Sequence, residues 1–118
     1  MTFTNKQLSD IRTGLADVSN SKTELSTVVS YRIIKNKLAA ENALAAYYEM
    51  RDSIIKKYSG GKPVVNYEDN PDAYNAVLAE VSVLDKETVD VDIAKVTLDD
   101  LADTMSPYMM SKLMFMVE

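Results

Sequence analysis

The fold is decided by residues 22 to 59, which read KTELSTVVSYRIIKNKLAAENALAAYYEMRDSIIKKYS and contain neither proline nor glycine. Ser21 and Glu24 have the spacing of a capping box, a motif that marks a helix start. Gly60 and Gly61 follow at the other end, where a C-terminal stop is expected. The pattern therefore predicts one helix from Lys22 to Ser59, roughly 55 Å long at the usual rise per residue.

Apolar residues are distributed over more than one side of this helix. They are Leu25, Val28, Val29, Ile33, Leu44, Tyr47, Ile54, Ile55 and Tyr58. A helix of this kind is normally central in a bundle or shared between subunits. We therefore expect either a homo-oligomer or a C-terminal half that folds back over residues 39–48.

A shorter helix is predicted before the long one. Thr4 and Gln7 form a capping box, and apolar residues then recur at helical spacing. The helix is expected from about Asn5 to Val18. Gly14 interrupts it, which suggests the close approach of another backbone. The two helices together predict a hairpin with unequal arms.

The second half of the chain is predicted to contain shorter elements of secondary structure. Asn70 and Pro71 predict the start of a third helix that ends near Leu84. Apolar and acidic residues alternate from Thr88 to Ile93, which is the period of a half-buried strand. Thr2 with Phe3, or residues 64–67, are the candidate strands to pair with it.

Two further helix starts close the chain. Thr97 with Asp100 predicts a short helix, and Ser106 with Pro107 predicts the last one. Five of the seven methionines lie in this last part, at Met105, Met109, Met110, Met114 and Met116. We interpret them mainly as core residues, with an adaptable binding surface as the alternative.

These patterns together predict a mainly α fold with a minor β element. The expected architecture is an unequal helical hairpin with one very long helix, plus a small C-terminal α/β part. Residues 1–118 are interpreted as a single domain. Residues 1–59 form its hairpin, and residues 60–118 form a smaller helical part with a short strand near 88–93.

The chain has no histidine and no cysteine. Histidine is the usual general base, and the cysteine thiolate is a strong nucleophile, so most side-chain catalysis near neutral pH is disfavoured. The motifs of phosphate-binding loops, serine hydrolases and zinc peptidases are also missing from the sequence. We therefore predict that the protein is not an enzyme, with no catalytic residues, no metal site and no cofactor.

The charge is unevenly divided. The net charge is −5, and residues 60–118 hold four basic against twelve acidic residues. Direct nucleic-acid binding is not expected, because neutralising phosphates needs a concentrated positive surface. No apolar run approaches the length of a membrane span, and the first ten residues are too polar for a signal peptide. We expect no membrane association and a cytoplasmic location.

The acidic residues of the second half are the candidate surface for a basic protein partner. Charge complementarity there would mainly speed association. Plain solubility is the alternative, and solvated side chains are also preferred over a cation site at the acidic strand. The candidate partner-binding residues are Glu87, Asp90, Asp92, Asp99, Asp100 and Asp103.

An alternative function is an oligomeric module that sequesters a nucleotide-like small molecule. Tyrosine rings stack on ligand rings, and basic side chains bind phosphate. The long helix carries both types of residue, and Tyr74 is a further candidate for the lining of such a pocket. The candidate ligand-binding residues on that helix are Tyr31, Arg32, Lys35, Tyr47 and Tyr48.

Four stretches carry a resemblance to a known family. They are TNKQLSDI at the start, RDSIIKKYSGGKP after the middle, LAEVSVLDKETVDVDIAKVTLDDL, and the closing MSPYMMSKLMFMVE. Together they resemble a family of short tailed-phage and prophage proteins catalogued only as a domain of unknown function. The resemblance spans nearly the whole chain in the order and spacing of its elements.

The resemblance implies a phage origin and expression in the cytoplasm of a bacterial host. It carries over no catalytic or binding residue. We therefore expect a phage protein that acts by protein–protein interaction. Its partner would be a host or defence factor that it blocks during host takeover, or a component of the assembling particle.

Overall fold

The computed structural model describes residues 1–22, 24–101 and 105–118. Two helices, α1 (Asn5–Ser19) and α2 (Thr27–Ser59), form a hairpin with unequal arms. They run antiparallel, because Val18 shares a core cluster with Val29, whereas Leu8 shares another with Leu44. The 33 residues of α2 extend about 50 Å at the usual rise per residue. The predicted hairpin and its long helix are confirmed.

The start of α2 differs from the prediction by five residues. Ser26 is the N-cap, and its hydroxyl accepts a hydrogen bond from the backbone N–H of Val29. Ser21 does not form the predicted capping box. Its hydroxyl instead donates to the carbonyl oxygen of Val18, at the end of α1. The chain needs these residues to reverse direction, because Val18 and Val29 pack in the same cluster.

The chain returns along α2 through a third helix, α3 (Pro71–Lys86), which is capped by Asn70. A short strand, β2 (Thr88–Asp90), then pairs antiparallel with β1 (Thr2–Thr4). The pairing with Thr2 and Phe3 is as predicted, whereas residues 64–67 form no strand. The architecture is mainly α-helical with this minor β element.

β2 ends three residues earlier than predicted. The backbone of Ala94 and Lys95 bonds to side chains of α2 and not to β1. The predicted helix after Thr97 is a single 3-10 turn, Leu98–Asp100, within the described residues. The last helix, α4 (Pro107–Leu113), begins at the predicted proline and continues into a 3-10 turn, Met114–Met116.

Two core clusters hold the elements together, and each contains side chains from both halves of the chain. The first cluster joins α1, the start of α2 and the C-terminal part. The second joins β1, α1, the middle of α2 and Val91. Met105 and Met116 are buried in the first cluster, with Met109 and Met110 packed against it. Core packing therefore accounts for four of the five C-terminal methionines, and Met114 is exposed.

Gly14 lies buried where α1 meets α4. A Cβ atom at this position would lie 3.1 Å from Cδ of Lys112. The close neighbour is therefore the aliphatic stem of a side chain, whereas the sequence analysis suggested a backbone. The glycine allows the Lys112 stem to lie flat on α1.

Candidate interaction surfaces

The polar centre of the molecule is the Asn36 side chain, which is 1% exposed. Its Nδ2 donates to the carbonyl oxygen of Ala94 at 3.0 Å, and its Oδ1 accepts from the backbone N–H of Ala94 at 2.8 Å. One turn earlier, Nη1 of Arg32 donates to the carbonyl oxygen of Lys95 at 3.0 Å. These bonds attach residues 91–96, here called the anchored segment, to α2.

The anchored segment is also held by backbone on two other sides. At one end, Val91 exchanges two backbone hydrogen bonds with Met1, at 2.8 and 2.9 Å. At the other end, Val96 N–H donates to the carbonyl oxygen of Met116 at 2.9 Å, and Glu118 N–H donates to the carbonyl oxygen of Val96 at 2.8 Å. The segment is therefore fixed by α2, by the N-terminal strand region and by the C-terminal residues.

One candidate partner-binding carboxylate, Asp92, lies in this segment, and the others flank it in sequence; five of the six lie among the described residues. Glu87, Asp90, Asp92, Asp99 and Asp100 are all exposed. Asp103 lies outside the described residues. The five described carboxylates form no ion pair with any residue in the described ranges, unlike those of Asp10, Glu41 and Glu80.

Two of these carboxylates have local structural roles. The Asp90 carboxylate accepts a hydrogen bond from the Thr2 hydroxyl across the sheet. The Asp100 carboxylate accepts one from the backbone N–H of Thr97 at 2.9 Å, which lowers the pKa of Asp100. Glu87, Asp92 and Asp99 have no side-chain hydrogen bond to another described residue.

The acidic residues, here called the acidic stripe, are spread along the chain and do not form a compact cluster. Asp85 lies beside Tyr47, whereas Ala94 lies beside Asn36, eleven residues away on α2. At 1.5 Å per residue, these two levels are about 16 Å apart. In agreement with this spread, the described part of the chain contains no group of three or more His, Cys, Asp or Glu residues arranged to hold a metal ion.

The candidate ligand-binding residues of α2 do not line one pocket. Tyr31 is exposed, whereas Tyr47 is buried, and the two residues lie sixteen positions apart, which corresponds to about 24 Å of helix. The Tyr47 hydroxyl donates to the Asp85 carboxylate at 2.5 Å. Burial and this hydrogen bond raise the pKa of Tyr47 to about 12. Tyr47 is therefore a core residue that packs α3 against α2.

Of the other members of that set, only Tyr48 lies beside Tyr47. The Arg32 guanidinium is occupied by the carbonyl oxygen of Lys95, and Lys35 is exposed. The ring of Tyr48 packs at 5.5 Å from that of Tyr47, on the same part of α2. Tyr74 lies on α3, where its ring contacts that of Tyr67 at 5.6 Å. Within a single chain, these residues therefore do not line a common pocket.

A different groove lies between α2 and α3, with a volume of about 340 Å³. Its walls are mainly apolar, and Arg51 lies at its edge. This groove could not be predicted from the sequence, because its walls come from two helices and a loop whose packing no local pattern reveals. The lining residues are Arg51, Ile55, Pro63, Val64, Val65, Tyr74, Val77, Leu78 and Val81.

A further surface is the outer face of α2, opposite its buried face. Tyr31 is 64% exposed and Leu38 is 54% exposed, and Val28, Ile34 and Met50 are each at least half exposed. The buried residues of α2 lie on the other side, from Val29 to Ile54. The apolar character on more than one side of the long helix, inferred from the sequence, is therefore present in the structure.

Comparisons with known proteins give no relative: no family model, curated protein or solved structure matches this chain. No helix in the described ranges combines the length and the apolar character needed to cross a membrane. Function must therefore be argued from the surfaces described above.

Proposed function

We propose that this is a phage-encoded protein that acts without catalysis, by binding a protein partner in the cytoplasm of a bacterial host. The partner is a host or defence factor that the protein blocks, or a component of the assembling particle. The proposal combines the resemblance of the sequence to phage proteins with the surface chemistry of the acidic stripe. The stripe consists of Glu87, Asp90, Asp92, Asp99 and Asp100.

The observation that carries the proposal is that these exposed carboxylates flank a firmly held backbone. The anchored segment is bonded to α2, to Met1 and to Met116. Preorganised charges lose little conformational entropy when they bind, so a fixed acidic surface favours association with a basic one. None of these carboxylates forms an ion pair with another described residue, although the Arg32 guanidinium is close enough to contribute to the lowered pKa of Asp100.

The test neutralises the three carboxylates of the stripe that hold no other group. The variant is Glu87→Gln, Asp92→Asn and Asp99→Asn. The tagged protein is used to capture partners from lysates of phage-infected bacteria, at about 50 mM and about 300 mM salt. We expect the variant to lose several-fold of the captured partner at the lower salt and less at the higher salt, because salt screens exposed charges.

A matched control neutralises three exposed carboxylates elsewhere, through Asp17→Asn, Glu24→Gln and Glu68→Gln. This control has the same net charge as the test variant, so it separates the effect of the stripe from that of total charge. Equal loss in both variants would contradict a role of the stripe. The absence of any specifically captured protein would contradict the proposed function itself.

The groove between α2 and α3 supports a second candidate function, the binding of a nucleotide-like small molecule. Its volume is in the range of small-molecule sites, and it combines a tyrosine ring with a guanidinium. Tyr74 would stack on the ring of the ligand, and Arg51 would bind its phosphate. Calorimetric titration with nucleoside mono- and triphosphates tests this. Binding that Arg51→Gln abolishes and Lys62→Gln leaves intact would support it, and no heat of binding would reject it.

A further inference from the structure

The outer face of α2 carries a regular seam of residues spaced for packing against another helix. Alternating steps of four and three residues select Tyr31, Lys35, Leu38, Asn42, Ala45, Glu49 and Asp52, which are all exposed. Large apolar side chains are concentrated in its first half. Contiguous apolar surface of this kind marks an interaction site more often than isolated exposed residues do.

The second half of the seam has a shallow, open depression. It has a volume of about 360 Å³ and is lined by Ala46, Glu49, Met50 and Ser53. These four positions, i, i+3, i+4 and i+7, are the ones that surround a hole in knobs-into-holes packing of helices. The small side chains of Ala46 and Ser53 leave this hole open to solvent.

The charges of the seam determine which orientation a second helix would take. Lys35 lies in the first half, whereas Glu49 and Asp52 lie in the second half. A parallel copy in register would place each of these charges beside the same charge. An antiparallel copy would place Lys35 of one chain near the acidic residues of the other, so the seam is complementary to itself only in the antiparallel orientation.

The hole fixes the register of this pairing. If Leu38 of one copy enters the hole of the other, it lies opposite Glu49. In an antiparallel pair the same register places Lys35 opposite Asp52, and Tyr31 opposite Lys56. The first pair is an ion pair, and the second allows the Lys56 ammonium to lie over the Tyr31 ring. Packing and charge therefore agree on one register.

We propose that a second copy of this chain binds the outer face of α2 in the antiparallel orientation, around a two-fold axis near Ala43 and Leu44. Leu38 of each copy fills the hole lined by Ala46, Glu49, Met50 and Ser53 of the other. The proposal is independent of the acidic stripe, which lies on other elements. It specifies the face, the orientation and the register of the self-association expected from the sequence.

The size of the seam sets the expected strength of the dimer. Residues 31 to 56 overlap over about 39 Å of helix, and a helix strip about 10 Å wide gives roughly 400 Å² of projected area per copy. A standard stable interface buries about 800 Å² per partner. We therefore expect a dimer that dissociates in the micromolar range, and measurements must cover concentrations from about 1 to 300 μM.

The experiment is sedimentation equilibrium over this concentration range on the full chain and its variants. Leu38→Glu should raise the dissociation constant at least about tenfold, because it places a carboxylate in the hole beside Glu49. Val83→Glu is the matched control, since Val83 is also an exposed apolar residue but lies on α3. It should leave the dissociation constant unchanged.

A charge exchange tests the orientation. Lys35→Glu and Asp52→Lys should each weaken the dimer, whereas the double variant should restore it, because only the antiparallel register places these residues opposite one another. A chain that is monomeric over the whole range would overturn the proposal. A dimer that Leu38→Glu does not weaken, or that the double variant does not restore, would overturn the face or the register.

Discussion

Replacing Asn36 by aspartate tests the central polar contact of the fold. The two side chains have nearly the same shape, but aspartate has an oxygen where Asn36 has the Nδ2 that donates to Ala94. The change therefore removes the hydrogen bond from Nδ2 to Ala94 and the weaker one from Nδ2 to Sδ of Met116 at 3.5 Å, and it places two oxygen atoms about 3 Å apart in a buried site. The other bond, from Ala94 N–H to Oδ1, remains possible.

The magnitude follows from the burial. A buried carbonyl group that loses its donor costs about 1–3 kcal/mol, and burial of the carboxylate adds to this. The cations of Arg32 and Lys95, which lie next to the site, offset part of the second cost. We expect a loss of about 2 kcal/mol at pH 7. For a chain of 118 residues this lowers the melting temperature by about 8 °C.

The loss depends on pH with a definite sign. When it is protonated, the introduced carboxyl group would donate to the Ala94 carbonyl oxygen as Asn36 does. The pKa of this carboxyl group in the folded state is therefore raised above the value of about 3.9 in unfolded chains. The variant should be closest to the original protein below pH 4, and the difference should grow as the pH rises above that value.

Urea unfolding, followed by circular dichroism at pH 4 and pH 7, measures this difference. Asn75→Asp is the control, because Asn75 is exposed on α3 and the same change there should alter stability by less than about 0.5 kcal/mol. If Asn36→Asp unfolds at the same urea concentration as the original protein at pH 7, Asn36 does not hold the anchored segment.

Three further predictions concern other contacts. The pKa of Tyr47 is raised to about 12, so the Tyr47 hydroxyl loses its proton at lower pH in the unfolded chain than in the folded protein. The free energy of unfolding should therefore fall as the pH rises from 10 to 12. Urea titrations should show that Tyr47→Phe removes up to about 3 kcal/mol of this fall. Gly14→Ala should increase the free energy of unfolding by up to about 1 kcal/mol and raise the melting temperature, since the flexible Lys112 stem can move aside. A lower melting temperature would mean that the new methyl group displaces α4. Ser26→Ala should cost about 1 kcal/mol in the same assay, and an unchanged melting temperature would place the start of α2 elsewhere.

Helix starts could be predicted from the sequence where the signal is local. Thr4, Asn70 and Ser106 each accept a hydrogen bond from a backbone N–H three residues later. Such a bond depends on a few neighbouring residues, so the sequence is enough to locate it. The helices that begin at Asn5 and Pro71 were located in this way.

The predicted start of α2 was wrong because two candidate N-cap residues lie close together there. Ser21 and Ser26 are both suitable N-caps, and the capping-box spacing favours Ser21. The choice between them depends on the turn that brings Val18 and Val29 into contact, which is a tertiary effect. Local patterns do not contain this information.

The role of Asn36 was missed, although a signal for it was present. Asn36 lies three residues after Ile33 and four before Ala40, so it is on the buried stripe of α2. A polar side chain at such a position requires hydrogen-bond partners. The partner could not be identified, because Ala94 is distant in the sequence and offers only backbone groups.

The placement of the candidate site residues could be predicted only where they are close in sequence. The described acidic residues from Glu87 to Asp100 are near in sequence, and all five candidates among them are exposed. The tyrosines were grouped as one candidate site only because they are the same residue type. Along a helix, however, the rise and the rotation per residue place such residues at different heights and on different faces. Tyr31 and Tyr47 therefore face different surroundings, one in solvent and one in the core.

The contact between Asn36 and Ala94 also links stability to the proposed binding surface. The acidic stripe flanks the segment that this contact attaches to α2, so its loss should loosen the charges together with the backbone. Asn36→Asp should then weaken partner capture even though it changes no residue of the stripe. Neutralising Glu87, Asp92 and Asp99 should instead weaken capture while the melting temperature stays constant. If Asn36→Asp and the charge-neutralised variant both weaken capture, the surface must be held in place as well as charged. If only the charge-neutralised variant does so, the charge alone is needed.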